Sequence, residues 1–129
     1  MLLLTFLVWI TMYHKRVAFL KNCGIDLQDL TKSKMEEISP ASVSNPSDNF
    51  KNLFEIPVLF YALVLYLFIT SSVDGVYLVA AWLFVLLRTL HSLVQCTRNI
   101  IMVRFTLYII STAAIWFIAL RAGVQHLAS

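Results

Sequence analysis

A chain of 129 residues that is 60% apolar and 13% charged departs in both counts from a soluble domain of this size, which carries about 45–50% apolar and about 25% charged residues. That balance excludes a disordered chain, a collagen-like repeat and a disulfide-stapled secreted module. The net charge of +3 does not mark a nucleic-acid binder. Lys15, Arg16, Lys21, Lys32, Lys34 and Lys51 fall in short polar connections, not along one exposed face.

The first apolar run, Leu2–Tyr13, makes a helix of only about 18 Å, short of a ~30 Å hydrocarbon core. Continuing it to Leu20 restores the length, provided His14, Lys15 and Arg16 face protein or snorkel to the headgroups. The opening Met-Leu-Leu-Leu-Thr-Phe lacks a basic stretch and a small-x-small site, so no cleaved signal peptide is expected. Residues 22–49 are polar, contain Pro40 and Pro46, and read as a connecting loop with one short helical turn around Leu30–Ile38. A second span follows over Leu53–Val73, with Glu55 as its only charge, and Pro57 suits a helix that begins near Leu53. Ser71–Gly75 forms a tight turn in which Gly75 is free to take positive φ. Val76–Thr97 is the third span, Arg98-Asn99 a turn, and Ile100–Leu120 the fourth span.

These elements predict one domain: an all-α integral membrane bundle of four transmembrane helices, with spans near 2–20, 53–73, 76–97 and 100–120. The first and third connections hold the basic residues and the second holds only Asp74, which puts the basic loops in the cytoplasm and both termini on the far side. Cys23 and Cys96 have no CxxC or CxxH context, and His14, His91 and His126 are scattered, so no metal site is expected.

A charged residue in mid-span costs about 2.5–3.5 kcal/mol on insertion scales, so such residues turn towards the bundle interior. Arg88, His91, Ser92, Gln95 and Asn99 recur at i, i+3, i+4, i+7 and i+11, one stripe about 16 Å long on an apolar helix. Asn52 and Glu55 form a second patch at the start of the second span, and Arg104 and Tyr108 a third at the start of the last. Turning the patches together would let Glu55 neutralise Arg88 or Arg104. Two readings fit. The patches form a polar network that only fixes helix packing, or they form a pocket for a charged, water-soluble compound, in which two arginines with Asn, Gln and Tyr suit carboxylates. Ser92 beside His91 is not a hydrolase dyad, because helix neighbours point about 100° apart. Ion passage along Arg88–Asn99 lacks an acidic relay on that helix.

The ordered set Asn52-Leu53-Phe54-Glu55, Arg88-x-x-His91-Ser92-x-x-Gln95-x-x-Arg98-Asn99 and Arg104-x-x-x-Tyr108 resembles the MAPEG family, the membrane-associated proteins in eicosanoid and glutathione metabolism, and its bacterial members most. The resemblance covers nearly the whole chain. It implies a homotrimer of four-helix subunits in the bacterial inner membrane, with glutathione as co-substrate between neighbouring subunits near the cytoplasmic side. Asn52 and Glu55 would then contact the tripeptide, and Arg88, His91, Gln95 and Tyr108 would belong to the same cleft. Arg16 would add a charge from the first helix, and Arg104 would hold the cysteine sulfur as thiolate. The implied activity is transferase or peroxidase chemistry on lipophilic electrophiles or lipid peroxides. The alternative is a non-catalytic accessory protein that binds lipid or a larger membrane complex through the same fold. Three departures from the pattern stand out: Gln95 where glutathione-using relatives often carry Tyr, Phe105 where the prostaglandin E synthase has Ser, and Pro57 two residues after Glu55 rather than four.

Overall fold

The computed structural model describes residues 1–24 and 30–128, so residues 25–29 of the polar connection lie outside it. Six helices follow in chain order: α1 (Leu2–Asn22), α2 (Lys32–Ile38), α3 (Ala41–Asn52), α4 (Ile56–Ile69), α5 (Gly75–Cys96) and α6 (Ile101–Ala128). No strand occurs among the described residues. The candidate spans are α1, the combined stretch Ala41–Ile69, α5 and α6; all four are long and apolar enough to cross a membrane, which fits a multi-pass integral membrane protein.

The polar connection departs from the expected loop. Besides the short helix α2 it contains α3, a full helix packed between α1 and α5. Its polarity has a packing reason, because Asn45, Asn49 and Asn52 recur at i, i+4 and i+7 and lie on one face. That face meets the polar stripe of α5. Helices α3 and α4 are one span with a break at Leu53–Glu55. Pro57 occupies the first turn of α4, and its ring would clash with the Leu53 carbonyl if the helix ran through.

The remaining elements form a tight bundle. Helices α5 and α6 pack along their length and α4 packs on α6. Their shared core is Phe60 and Leu67 from α4, Tyr77, Ala80 and Phe84 from α5, and Ala114, Ile115, Ile118 and Ala122 from α6. Small residues at Ala80, Ala114, Ala122 and the buried Ser111 let the helix backbones approach closely, as packing in lipid requires. Phe84 is fully buried and stacks on Phe60 with ring centroids 4.8 Å apart.

At the end away from α3, the α4–α5 turn is closed by side chains. Ser71, not Gly75, takes the left-handed conformation (φ 54°), and the Ser72 N–H donates to the Leu67 carbonyl at 3.0 Å. Gly75 instead opens α5 directly after its cap, Asp74. One Asp74 oxygen accepts from the Val76 and Tyr77 N–H groups at 3.0 Å each. The same carboxylate takes a two-pronged contact from Arg121 of α6, at 2.8 and 2.5 Å. The Arg121 guanidinium lies 4.2 Å from the Tyr77 ring centroid, and the Tyr77 hydroxyl donates to Gln125 at 2.6 Å.

Two outcomes follow from this packing. In lipid an unpacked Phe84 still sits among apolar neighbours, so Phe84→Ala loses only the cavity and contact contribution. At about 24 cal/mol per Å³ for a void of ~100 Å³, equilibrium unfolding in mixed micelles should register about 2 kcal/mol of destabilisation. The Arg121 contact and the capping N–H groups hold the Asp74 carboxyl well below its ordinary range. A depressed carboxyl contributes stability fully above its unfolded value, about pH 4, and loses it as pH falls further. Thermal unfolding of the wild type should therefore drop steeply below that pH. Asp74→Asn, which keeps a cap acceptor but not the charge, should start lower and show a flatter acid profile.

Candidate functional site

The hydrogen bonds between α3 and α5 build the site. Asn52 Nδ2 lies 3.1 Å from Gln95 Oε1, Ser92 Oγ donates to Asn49 Oδ1 at 3.2 Å, and Asn49 Nδ2 donates to the Cys96 sulfur at 3.3 Å. One turn further on, Asn99 Nδ2 donates to Asn45 Oδ1 at 3.0 Å. The two ladders run antiparallel. They seat the end of α3 against the last two turns of α5, so that Asn52 stands beside His91 and Gln95.

Arg88, His91, Ser92 and Gln95 are all buried, as the helical spacing requires of a stripe that cannot face lipid. Asn99 leaves the stripe. It sits past the helix end with φ 48°, and its N–H donates to the Val94 carbonyl at 2.7 Å to close α5.

His91 links the two site-bearing helices. Its Nδ1 lies 3.0 Å from the Arg104 carbonyl and its Nε2 3.0 Å from Gln95 Oε1. A carbonyl only accepts, so Nδ1 carries a proton there. The His91 ring also rests near Tyr108, with centroids 5.9 Å apart. Arg104, four residues into α6, turns its side chain back so that Nη1 donates to Asn99 Oδ1 at 2.7 Å.

These residues surround a cavity of about 310 Å³, lined by Asn52, Glu55, His91, Ile101, Arg104, Phe105 and Tyr108. That size is at the lower end for small-molecule pockets, which run about 300–1,000 Å³. Five of the eight residues expected at the site thus line one cavity: Asn52, Glu55, His91, Arg104 and Tyr108. The break at Leu53–Glu55 helps, since it turns Glu55 towards the same space as Asn52.

The other three stand elsewhere. Gln95 lies one layer behind the wall, holding Asn52 and His91. Arg88 is also behind it, with zero exposed surface, its Cζ 4.4 Å from the Tyr108 ring centroid and 5.8 Å from that of Phe84. None of its three guanidinium nitrogens has a hydrogen-bond partner. The expected neutralisation by Glu55 does not form as a direct ion pair. Among the described residues Glu55 pairs with neither arginine, because it is exposed at the helix break and loses too little water to require a partner. Arg16 lines a separate cleft between α1, α2 and α3 with Lys32, Glu36, Asp48 and Lys51.

Sequence reading missed Asn45 and Asn49, and gave Asn99 no partner beyond its stripe. The signal was present in the helical spacing of Asn45, Asn49 and Asn52, which matches that of Ser92, Gln95 and Asn99. Chemically the cavity offers a carboxylate, a guanidinium with nitrogens to spare, an amide and a phenol beside two exposed apolar side chains. No group of three metal-ligating side chains comes together among the described residues.

Neither a curated protein nor a solved structure matches this chain. A family model, that of the MAPEG family, matches residues 1–124. With all but the last five residues covered and four span-length helices in place, the chain belongs to the MAPEG family.

Proposed function

We propose that this protein is a glutathione-dependent transferase or peroxidase acting on lipophilic electrophiles or lipid peroxides at the membrane. The observation that carries the reading is the convergence of Asn52, Glu55, His91, Arg104 and Tyr108 on one cavity, drawn from three helices and fifty-odd residues of sequence. Glutathione suits that lining. Glu55, which forms no ion pair among the described residues, would take its ammonium, the Asn52 amide its peptide groups, and Arg104 its sulfur. The cavity is small for a whole tripeptide, which favours a site completed by a neighbouring copy in a homotrimer. In that arrangement the exposed Arg16 of one copy would approach the cavity of the next.

A guanidinium beside a thiol stabilises the thiolate and raises the fraction of nucleophile. In the transferase step the thiolate sulfur bonds to the electrophilic carbon, and the leaving group departs with the electrons of the broken bond. In the peroxidase step the thiolate attacks one oxygen of the O–O bond and expels an alkoxide, which takes up a proton. A second glutathione then displaces water from the sulfenic sulfur, so sulfur is oxidised to the disulfide and the peroxide reduced to alcohol and water. Ile101 and Phe105, exposed apolar residues at the rim, suit a substrate that arrives from the bilayer.

Orientation follows the same logic. The cavity lies at the end of the bundle that carries the basic connections, and Arg121 at the other end is neutralised by Asp74. This supports a cavity on the cytoplasmic side, and the bacterial inner membrane is the setting that the family resemblance implies.

Thermal unfolding with glutathione, beside an S-methyl analogue, tests the reading. A ligand at 100 times its Kd stabilises by about 2.7 kcal/mol. Arg104→Ala should lose the part of the shift that depends on the free thiol and lower turnover about a hundredfold or more, with the oligomer intact. No glutathione shift in an intact wild type would instead support the accessory protein, with its polar network serving packing.

A further inference from the structure

Arg104 is an unusual residue to leave in charge of a sulfur atom, because its long side chain starts at the edge of the bundle and is only half-buried. Two contacts remove that freedom. The His91 ring holds the Arg104 carbonyl, and Asn99 Oδ1 accepts from its Nη1 at 2.7 Å, the shortest side-chain contact in the site. Asn99 is itself held from two directions. Its backbone N–H closes α5 onto the Val94 carbonyl, and its Nδ2 donates to Asn45 Oδ1 on α3. The second bond decides which way the amide faces. With the NH2 group turned to α3, only the oxygen is left for Arg104.

We infer that Asn99 is the positioning residue for Arg104, aiming its guanidinium into the cavity while leaving its positive charge intact. The inference rests on the glutathione reading for what Arg104 does, but not for how it is held. Asn is suited to this place for two reasons. Among residues other than glycine it is one of the few that readily adopts φ near +48°, so the turn accepts it. Its carbonyl is also neutral. An Asp there would orient Arg104 equally well but would cancel the charge that a thiolate needs. One Nη is engaged by Asn99, and Nε and the other Nη stay available to a ligand. Asn45 becomes the outer member of the device, since it keeps the Asn99 amide from rotating.

The test compares Asn99→Gly and Asn99→Asp with the wild type in micelles. The first readout is ¹⁵N NMR of the Arg104 guanidinium, and the second is the pH profile of glutathione turnover. In the wild type the two Nη signals should be resolved by slowed rotation. In Asn99→Gly, which keeps the turn conformation, they should merge, and kcat should fall about ten- to a hundredfold with KM for the electrophile little changed. In Asn99→Asp the signals should stay resolved while the acid limb of the profile moves to higher pH, because the paired guanidinium no longer favours the thiolate. Asn45→Ala, which keeps Asn99 and its backbone bond to the Val94 carbonyl, should give a weaker form of the glycine result and serves if Asn99→Gly does not fold. Merged signals in the wild type, or signals equally resolved after both Asn99→Gly and Asn45→Ala, would overturn the inference. Restraint in the wild type that Asn99→Gly releases, without any glutathione binding, would uphold the positioning and remove the glutathione reading alone.

Discussion

The organisation of this bundle depends on the seam of amide and hydroxyl groups between α3 and α5. Apolar side chains gain little from choosing one another over lipid tails, so a membrane helix has no strong register of its own. Asn45, Asn49 and Asn52 supply that register by meeting Asn99, Ser92 and Gln95. Each such bond is worth only about 0.6 kcal/mol on average in a membrane protein. Their effect lies in selectivity, since slipping α3 by one residue would turn all three amides away from their partners and into lipid. Everything at the cavity follows from that seam. It delivers Asn52 to His91, lets the Pro57 break expose Glu55, and holds the α5–α6 turn in which Asn99 meets Arg104.

The two ends of the bundle treat arginine in opposite ways. Arg121 shares a carboxylate with the α5 N-terminus and stacks on Tyr77, so its charge is cancelled where it stands. Arg88 and Arg104 form no ion pair among the described residues, although Glu55 shares the cavity lining with Arg104. Arg88 lies against the faces of Tyr108 and Phe84, whose quadrupoles attract a cation most when water is absent. The result is an electrical asymmetry along the bundle axis, with two arginines against the single carboxylate of Glu55 around the cavity and a matched pair, Arg121 and Asp74, at the other end. An anion entering there meets a field already in place.

Much of this was legible in the sequence. Apolar runs announced four spans, and the spacing of Arg88, His91, Ser92 and Gln95 predicted the buried stripe that α5 shows. The same reasoning failed at α3 because it equated polarity with a loop. In lipid a polar face is buried whenever another polar face opposes it, so hydropathy alone discards a helix whose partner is also polar. Glu55 was given a partner on the premise that it was buried, and the proline-induced break makes it exposed. Gly75 was given the left-handed turn that Ser71 takes, because the Asp74 cap claims Gly75 for the first turn of α5. Arg16 came from the resemblance alone, and within one copy it lines the separate cleft between α1, α2 and α3.

The exposed side chains of Ile101 and Phe105 on the rim have a consequence for how this molecule must be measured. A compound that crosses such a rim comes from a two-dimensional solution, and its effective concentration is its mole fraction in the bilayer. Adding lipid at constant total compound dilutes it, and lengthening an alkyl chain concentrates it, without any change in the protein. Apparent affinities referred to the bulk volume would therefore rank compounds by partitioning as much as by fit.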